Sequence, residues 1–132
     1  MNIVRSATVT PNEFPQRIEV RKYTLAADVE AHDTAPNPHD YFDTALATCK
    51  SLTAHWYAER HKIPLERVET QVERDDTGER TGLYKLRVTV TFHGPMTEEQ
   101  RAALHRAIAA CPIHKLMTTT EVAIEMVPGA IG

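Results

Sequence analysis

Two cysteines, Cys49 and Cys111, are the residues of this chain best suited to covalent chemistry. They stand 62 positions apart, so any joint action depends on the fold. Cys111 precedes Pro112 at an expected helix start, where free N–H groups and the positive end of the helix dipole favour a thiolate. Cys49 falls several turns into an expected helix and needs a cation delivered from elsewhere. The plainer reading of both is a small buried hydrophobe, the usual setting of free cysteines. Seven histidines follow as candidates. A zinc site from Cys49, Cys111, His55 and His114 is disfavoured by spacing, because Cys49 and His55 point to different sides of one helix. Asp40 and Asp43 look like an acid/base pair, yet a first helical turn explains both through the dipole. There is no glycine-rich phosphate loop and no nucleophile elbow.

The elements that must position these residues follow from periodicity. Alternation predicts strands over 3–10, 17–20 and 23–27, with Pro11 and Pro15 breaking the first pair. The polar stretch from Asp28 to Asn37 reads as a flexible loop. Asn37 as N-cap and Pro38 at N1 open a long helix that runs to about His61 and stops before Pro64. Its expected inward face is Phe42, Ala45, Leu46, Cys49, Leu52, Thr53, Trp56 and Tyr57, with Trp56 in the core. Val68 to Glu73 alternates, and Asp75-Asp76-Thr77-Gly78 is a turn. Tyr84, Leu86, Val88, Val90 and Phe92 alternate with polar residues, the mark of a strand with one buried face. Thr97-Glu98-Glu99-Gln100 is a capping-box pattern opening a second helix. Pro112 interrupts that helix and starts a short third one with Cys111 as N-cap. Val122, Ile124 and Met126 predict a last strand. Short turns between strand pairs favour antiparallel sheets, hence an α+β fold.

Composition narrows the class. With 132 residues, one domain spanning 1–132 is expected, long enough for a core without disulfide staples. Net charge is −3, which argues against nucleic-acid binding because phosphate neutralisation needs a basic surface. No apolar run approaches the length of a membrane span, and the first ten residues lack a signal-peptide core. The expected compartment is the cytoplasm, where two free cysteines suit core, redox or metal roles better than a structural staple.

The segment Asn37-Pro38-His39-Asp40-Tyr41-Phe42-Asp43-Thr44-Ala45-Leu46-Ala47-Thr48-Cys49-Lys50-Ser51-Leu52-Thr53 resembles the helix start and first cysteine of the OsmC/Ohr family. Ile63-Pro64-Leu65-Glu66-Arg67-Val68 is similar to that family's helix exit, and Ala110-Cys111-Pro112-Ile113-His114-Lys115 to its second-cysteine motif. The resemblance implies an OsmC-like α+β fold, with antiparallel sheets wrapped around long central helices in an intertwined homodimer. It implies a thiol-dependent, peroxiredoxin-like peroxidase for organic hydroperoxides. Cys49 would form a sulfenic acid and Cys111 would resolve it to a disulfide. It implies no cofactor, only an external reductant, a lipoylated protein or small dithiol. The resemblance gives first attack to Cys49, whereas the local helix argument favours a thiolate at Cys111.

Family members also use an early arginine and a glutamate near the start of the long helix. Carried over, the arginine is Arg17, with Arg21 second. The glutamate position holds His39, with Asp40 beside it to orient an arginine. A glycine pair common before the long helix is replaced by His32-Asp33-Thr34-Ala35. These departures keep a second reading open, a non-enzymatic, stress-associated OsmC-like dimer binding a small hydrophobic ligand. A disulfide further requires the two Cα atoms within about 7 Å.

Overall fold

The computed structural model describes residues 2–130. In chain order the elements are β1 (Val4–Thr8), β2 (Gln16–Val20), β3 (Tyr23–Ala27), α1 (Pro38–Arg60), β4 (Arg67–Asp75), β5 (Lys85–His93), α2 (Glu98–Ile108) and α3 (Pro112–Thr118), with a 3-10 turn at Glu79–Thr81. The class is α+β with two antiparallel sheets, one of order β1-β2-β3 and one made of β4 and β5. The chain divides into two compact units, Met1–Ala45 with Val72–Arg87, and Leu46–Gln71 with Val88–Gly132.

The first unit holds the three-stranded meander. Arg17 on β2 lies opposite Ala7 on one side and Ala26 on the other. The polar stretch after β3 is fastened rather than loose. Asp28, buried, accepts from the backbone N–H groups of Val29 and Thr34 and from the Thr34 hydroxyl. An aspartate that gathers nearby donors in this way converts a polar run into a fixed turn. At the far end of this unit, Asp75 accepts from Thr77 N and Oγ1, which sets the turn after β4.

The second unit carries the hydrophobic core. Ala54, Ala58, Phe92, Leu104 and Ile108 are its buried members, with Tyr57, Ile63, Leu65, Val68, Val90 and Met96 packed around them. The alternation of β5 delivers Val88, Val90 and Phe92 to the inside. The Thr97 capping box forms as expected. Thr97 Oγ1 accepts from Gln100 N, and Gln100 Oε1 accepts from Thr97 N. α1 closes with Lys62 in the left-handed region, φ 54°, while Ile63 N–H reaches back to Ala58 O at 2.9 Å. That is the helix-ending arrangement in which a following apolar residue folds back onto the core.

Two expectations are corrected. The buried side of α1 matches the expected face only in part, at Leu46, with Tyr57 packed against the core. In the second unit it runs through Leu46, Lys50, Ala54 and Ala58, while Leu52 and Trp56 are 63% and 58% exposed. Trp56 therefore lies outside the core, with the Arg60 guanidinium 4.8 Å from its ring centre. In the first unit Asp43 is buried and Phe42 is exposed. The true stripe is one residue further along, a rotation of about 100°, and it was hidden because two of its members are charged. The second correction concerns the chain end. Val122, Ile124 and Met126 form no strand, and all three side chains are exposed. Alternation names a face for each side chain but does not supply the neighbouring edge that completes a ladder.

One backbone position is tightly constrained. Gly94 has φ 143°, and a Cβ there would overlap Pro64 O. Gly94→Ala is expected to cost about 2–4 kcal/mol, read as a lowered urea midpoint with an unchanged slope.

Candidate functional site

The second unit brings the two cysteines under one tether. Cys49 is half-buried on α1, and Cys111 is 1% exposed at the N-cap of α3. Both thiols are free. Pro112 at N1 explains why α3 starts there, since that position needs no amide donor. Next to Cys49, Lys50 points inward and is 4% exposed. Its ammonium donates to Ile108 O at 2.7 Å, to Ala109 O at 3.4 Å and to His114 Nδ1 at 3.0 Å. The two carbonyls belong to the last turn of α2, which has no helical donor left for them. The positive charge also suits the negative end of that helix. Because Nδ1 accepts, the neutral imidazole carries its proton on Nε2. Burial, and then the Lys50 charge, hold His114 below the ordinary imidazole value of 6.5.

The first unit holds a separate polar cluster at the start of α1. Asp40 N–H donates to Asn37 Oδ1 at 2.9 Å, and Asn37 N–H donates to Asp40 Oδ2 at 2.9 Å. This reciprocal cap confirms Asn37 as the helix start. Asp40 also accepts from Arg74 Nη2 at 2.7 Å. The Asn37 amide and then Arg74 hold the Asp40 carboxyl below the usual carboxylate range. Arg74 Nε donates to Asp43 Oδ2 at 2.7 Å, and the Tyr84 hydroxyl donates to Asp43 Oδ1 at 2.7 Å. Those two carboxylates raise the Arg74 guanidinium above its usual value, Asp43 the more strongly. Burial, then Asp43, pushes the Tyr84 phenol up to about 12.

The arginine that Asp40 holds is thus Arg74, which sequence reasoning missed. The signal was present. Arg74 occupies the inward register of β4 after Val68, Thr70 and Val72, where an apolar residue would be ordinary. Arg17, expected to serve Cys49, lies exposed on β2 with its Nε 3.3 Å from Glu19 Oε1. Arg21 sits over the Tyr23 ring. His39 lies beside Glu79, its Nε2 2.9 Å from Oε1. Pro38, His39, Phe42, Glu79 and Tyr84 line an open, mainly apolar cavity of about 340 Å³. Among the described residues, no three His, Cys, Asp or Glu side chains converge as metal ligands would. No helix among them is long and apolar enough to cross a membrane.

An α+β protein with two antiparallel sheets and two free cysteines, one at mid-helix and one at a helix start, is the class these features define. A family model described as OsmC-like protein matches residues 31–127, and the chain belongs to that family. The fold is similar to the OsmC-like protein from Mycoplasma pneumoniae, with a TM-score of 0.73 at 16% identity, covering 90% of this chain and 88% of that one. It is similar to the organic hydroperoxide resistance protein OhrB of Bacillus subtilis, TM-score 0.60 at 20% identity, covering 90% and 91%. An organic hydroperoxide resistance protein OsmC from Legionella pneumophila aligns at TM-score 0.63 and 19% identity, covering 90% of each chain. No curated protein sequence matches.

Two outcomes follow. Arg74→Met leaves the buried Asp43 carboxylate without its cation, and is expected to cost about 2–4 kcal/mol in urea unfolding. His114 binds its proton more weakly folded than unfolded, so its contribution is complete above pH 6.5 and is lost as pH falls below it. The melting temperature is expected to decline from pH 6.5 toward 5, and His114→Gln to remove that first stage of the decline.

Proposed function

We propose that this chain is a thiol-dependent peroxidase for organic hydroperoxides. The Cys49 thiolate attacks the distal peroxide oxygen. The O–O bond breaks, the alkoxide takes a proton and leaves as the alcohol, and Cys49 becomes a sulfenic acid. Cys111 then displaces that oxygen as water and forms the disulfide. An external dithiol, a small molecule or a lipoylated protein, restores both thiols by exchange.

The observation that carries this reading is the Lys50 tether, which ties the turn of α1 bearing Cys49 to the segment 108–114 bearing Cys111. Family membership and the fold likeness to hydroperoxide resistance proteins support it. Leu52 and Trp56 follow Cys49 by about one and two turns of α1 and are exposed, an apolar surface that favours alkyl or aromatic peroxides over hydrogen peroxide. The activating guanidinium is proposed on the family resemblance alone, as Arg17 with Arg21 the alternative, and Asp40 has the task of holding Arg74 at the helix start. The working form is a homodimer. Exposed Leu52, Trp56, Val122, Ile124 and Met126 are the apolar surface that a second copy would cover. A reducing cytoplasm suits two unpaired thiols.

A second reading is favoured by the cavity of about 340 Å³ walled by Phe42 and Tyr84. In it the chain is a non-enzymatic dimer that binds a small hydrophobic ligand there.

One equivalent of cumene hydroperoxide is expected to remove both thiols as one intramolecular disulfide, seen by intact mass and thiol titration. Cys49→Ser is expected to abolish peroxide consumption with dihydrolipoamide, and Cys111→Ser to leave a sulfenic acid that dimedone captures. Thiols that stay free with every peroxide tried would leave the binding reading in its place.

A further inference from the structure

Lys50 presents an anomaly. It is as buried as the apolar core around it, yet its ammonium meets no carboxylate among the described residues. A buried cation is costly unless its protons are accepted, and here three acceptors take them. An apolar side chain of similar length would leave the Ile108 and Ala109 carbonyls without a donor, so the lysine completes the end of α2 as well as joining it to α1. The lysine also supplies direction. A hydrophobic contact tolerates sliding, whereas three hydrogen bonds from one nitrogen fix the register of the parts they join.

The parts joined are informative. Lys50 follows Cys49 directly, and its nitrogen grips residues 108, 109 and 114, with Cys111 between them. We propose that Lys50 is the positioning residue of disulfide formation, clasping the Cys111 segment so that its thiol meets Cys49. This rests on the peroxidase reading above. In the step concerned, the Cys111 sulfur attacks the Cys49 sulfur. The S–S bond forms, the S–O bond breaks, and the departing hydroxide takes the thiol proton and leaves as water. Bond formation needs a narrow range of approach, with the Cβ atoms about 3.8 Å apart. The earlier attack of Cys49 on peroxide does not involve Cys111, so loss of the clasp separates the two steps.

The test uses the full chain with Lys50→Met. After one equivalent of cumene hydroperoxide in the presence of dimedone, Cys49 is expected still to be oxidised. The disulfide yield is expected to fall about tenfold or more, the scale on which misplaced reacting groups lose rate, with a dimedone adduct on Cys49 in its place. Lys50→Arg, which keeps donors and charge, is expected to restore part of the disulfide. A folded Lys50→Met protein that closes the disulfide at the wild-type yield overturns the proposal. If Lys50→Met does not fold, His114→Leu decides, since it removes one contact from a half-buried side chain. An adduct raised about threefold supports the clasp, and a wild-type partition overturns it. A diamide arm forms the same disulfide without peroxide. Slower closure there in the variant supports the clasp, even where peroxide leaves wild-type Cys49 untouched and the peroxidase reading alone fails. Equal diamide rates in variant and wild type overturn the clasp.

Discussion

In the second unit, the ammonium of Lys50 replaces the cap that α2 lacks. Helices commonly end in a glycine that turns their last carbonyls toward following amides. α2 ends instead at Ala109, and its terminal carbonyls turn to a side chain from another helix. The consequence runs in both directions. α2 gains donors for groups that would otherwise be orphaned, and α1 gains a fixed register against it. α3 is drawn in through His114, which serves as acceptor only while neutral. A helix end, a helix middle and a helix start are thereby joined at one nitrogen atom. The leucine and isoleucine packing around Leu104 and Ile108 supplies the greater stabilisation. It does not by itself choose a register.

The first unit solves a related problem with the opposite sign. Asp43 is a buried carboxylate, and its two oxygens are taken by Arg74 and Tyr84. Asp40 shares the same guanidinium while also closing the Asn37 cap. Arg74 therefore fastens β4 to the first turns of α1 through two separate N–H directions, a task a lysine could not reproduce. The first turn of the helix is held by capping, by dipole and by ion pairing at once.

Much of the fold was legible from the residues. Asn37-Pro38 marked the start of α1, Thr97 to Gln100 marked that of α2, and Cys111-Pro112 marked that of α3, because caps are local chemistry. The alternation from Leu86 to Phe92 gave β5 for the same reason. The buried face of α1 was not legible. Hydropathy placed Trp56 and Leu52 inside, where they are not, and gave no sign that Lys50 and Asp43 are buried by partners distant in sequence. Asp43 is buried because Arg74 and Tyr84 come to it, and Lys50 because α2 ends beside it. The pattern of a helix cannot announce a hydrogen bond to a residue 31 or 58 positions away. Of the candidate site, the two cysteines were evident from residue type. Lys50 and Arg74 were not, since a lone charged residue on a helix or strand reads as surface, and His114 was weighed as a zinc ligand rather than as the acceptor for Lys50.

The pairing of Asp43 with Arg74 also constrains how this chain can change over generations. A carboxylate at position 43 without a guanidinium at 74 is a lone charge in a dry place, and the reverse loss strands the cation between Asp40 and a gap. Either single replacement is penalised, so the two sites drift together or not at all. In an alignment of relatives, those positions would show correlated substitution, with Tyr84 following as a third, weaker member of the set.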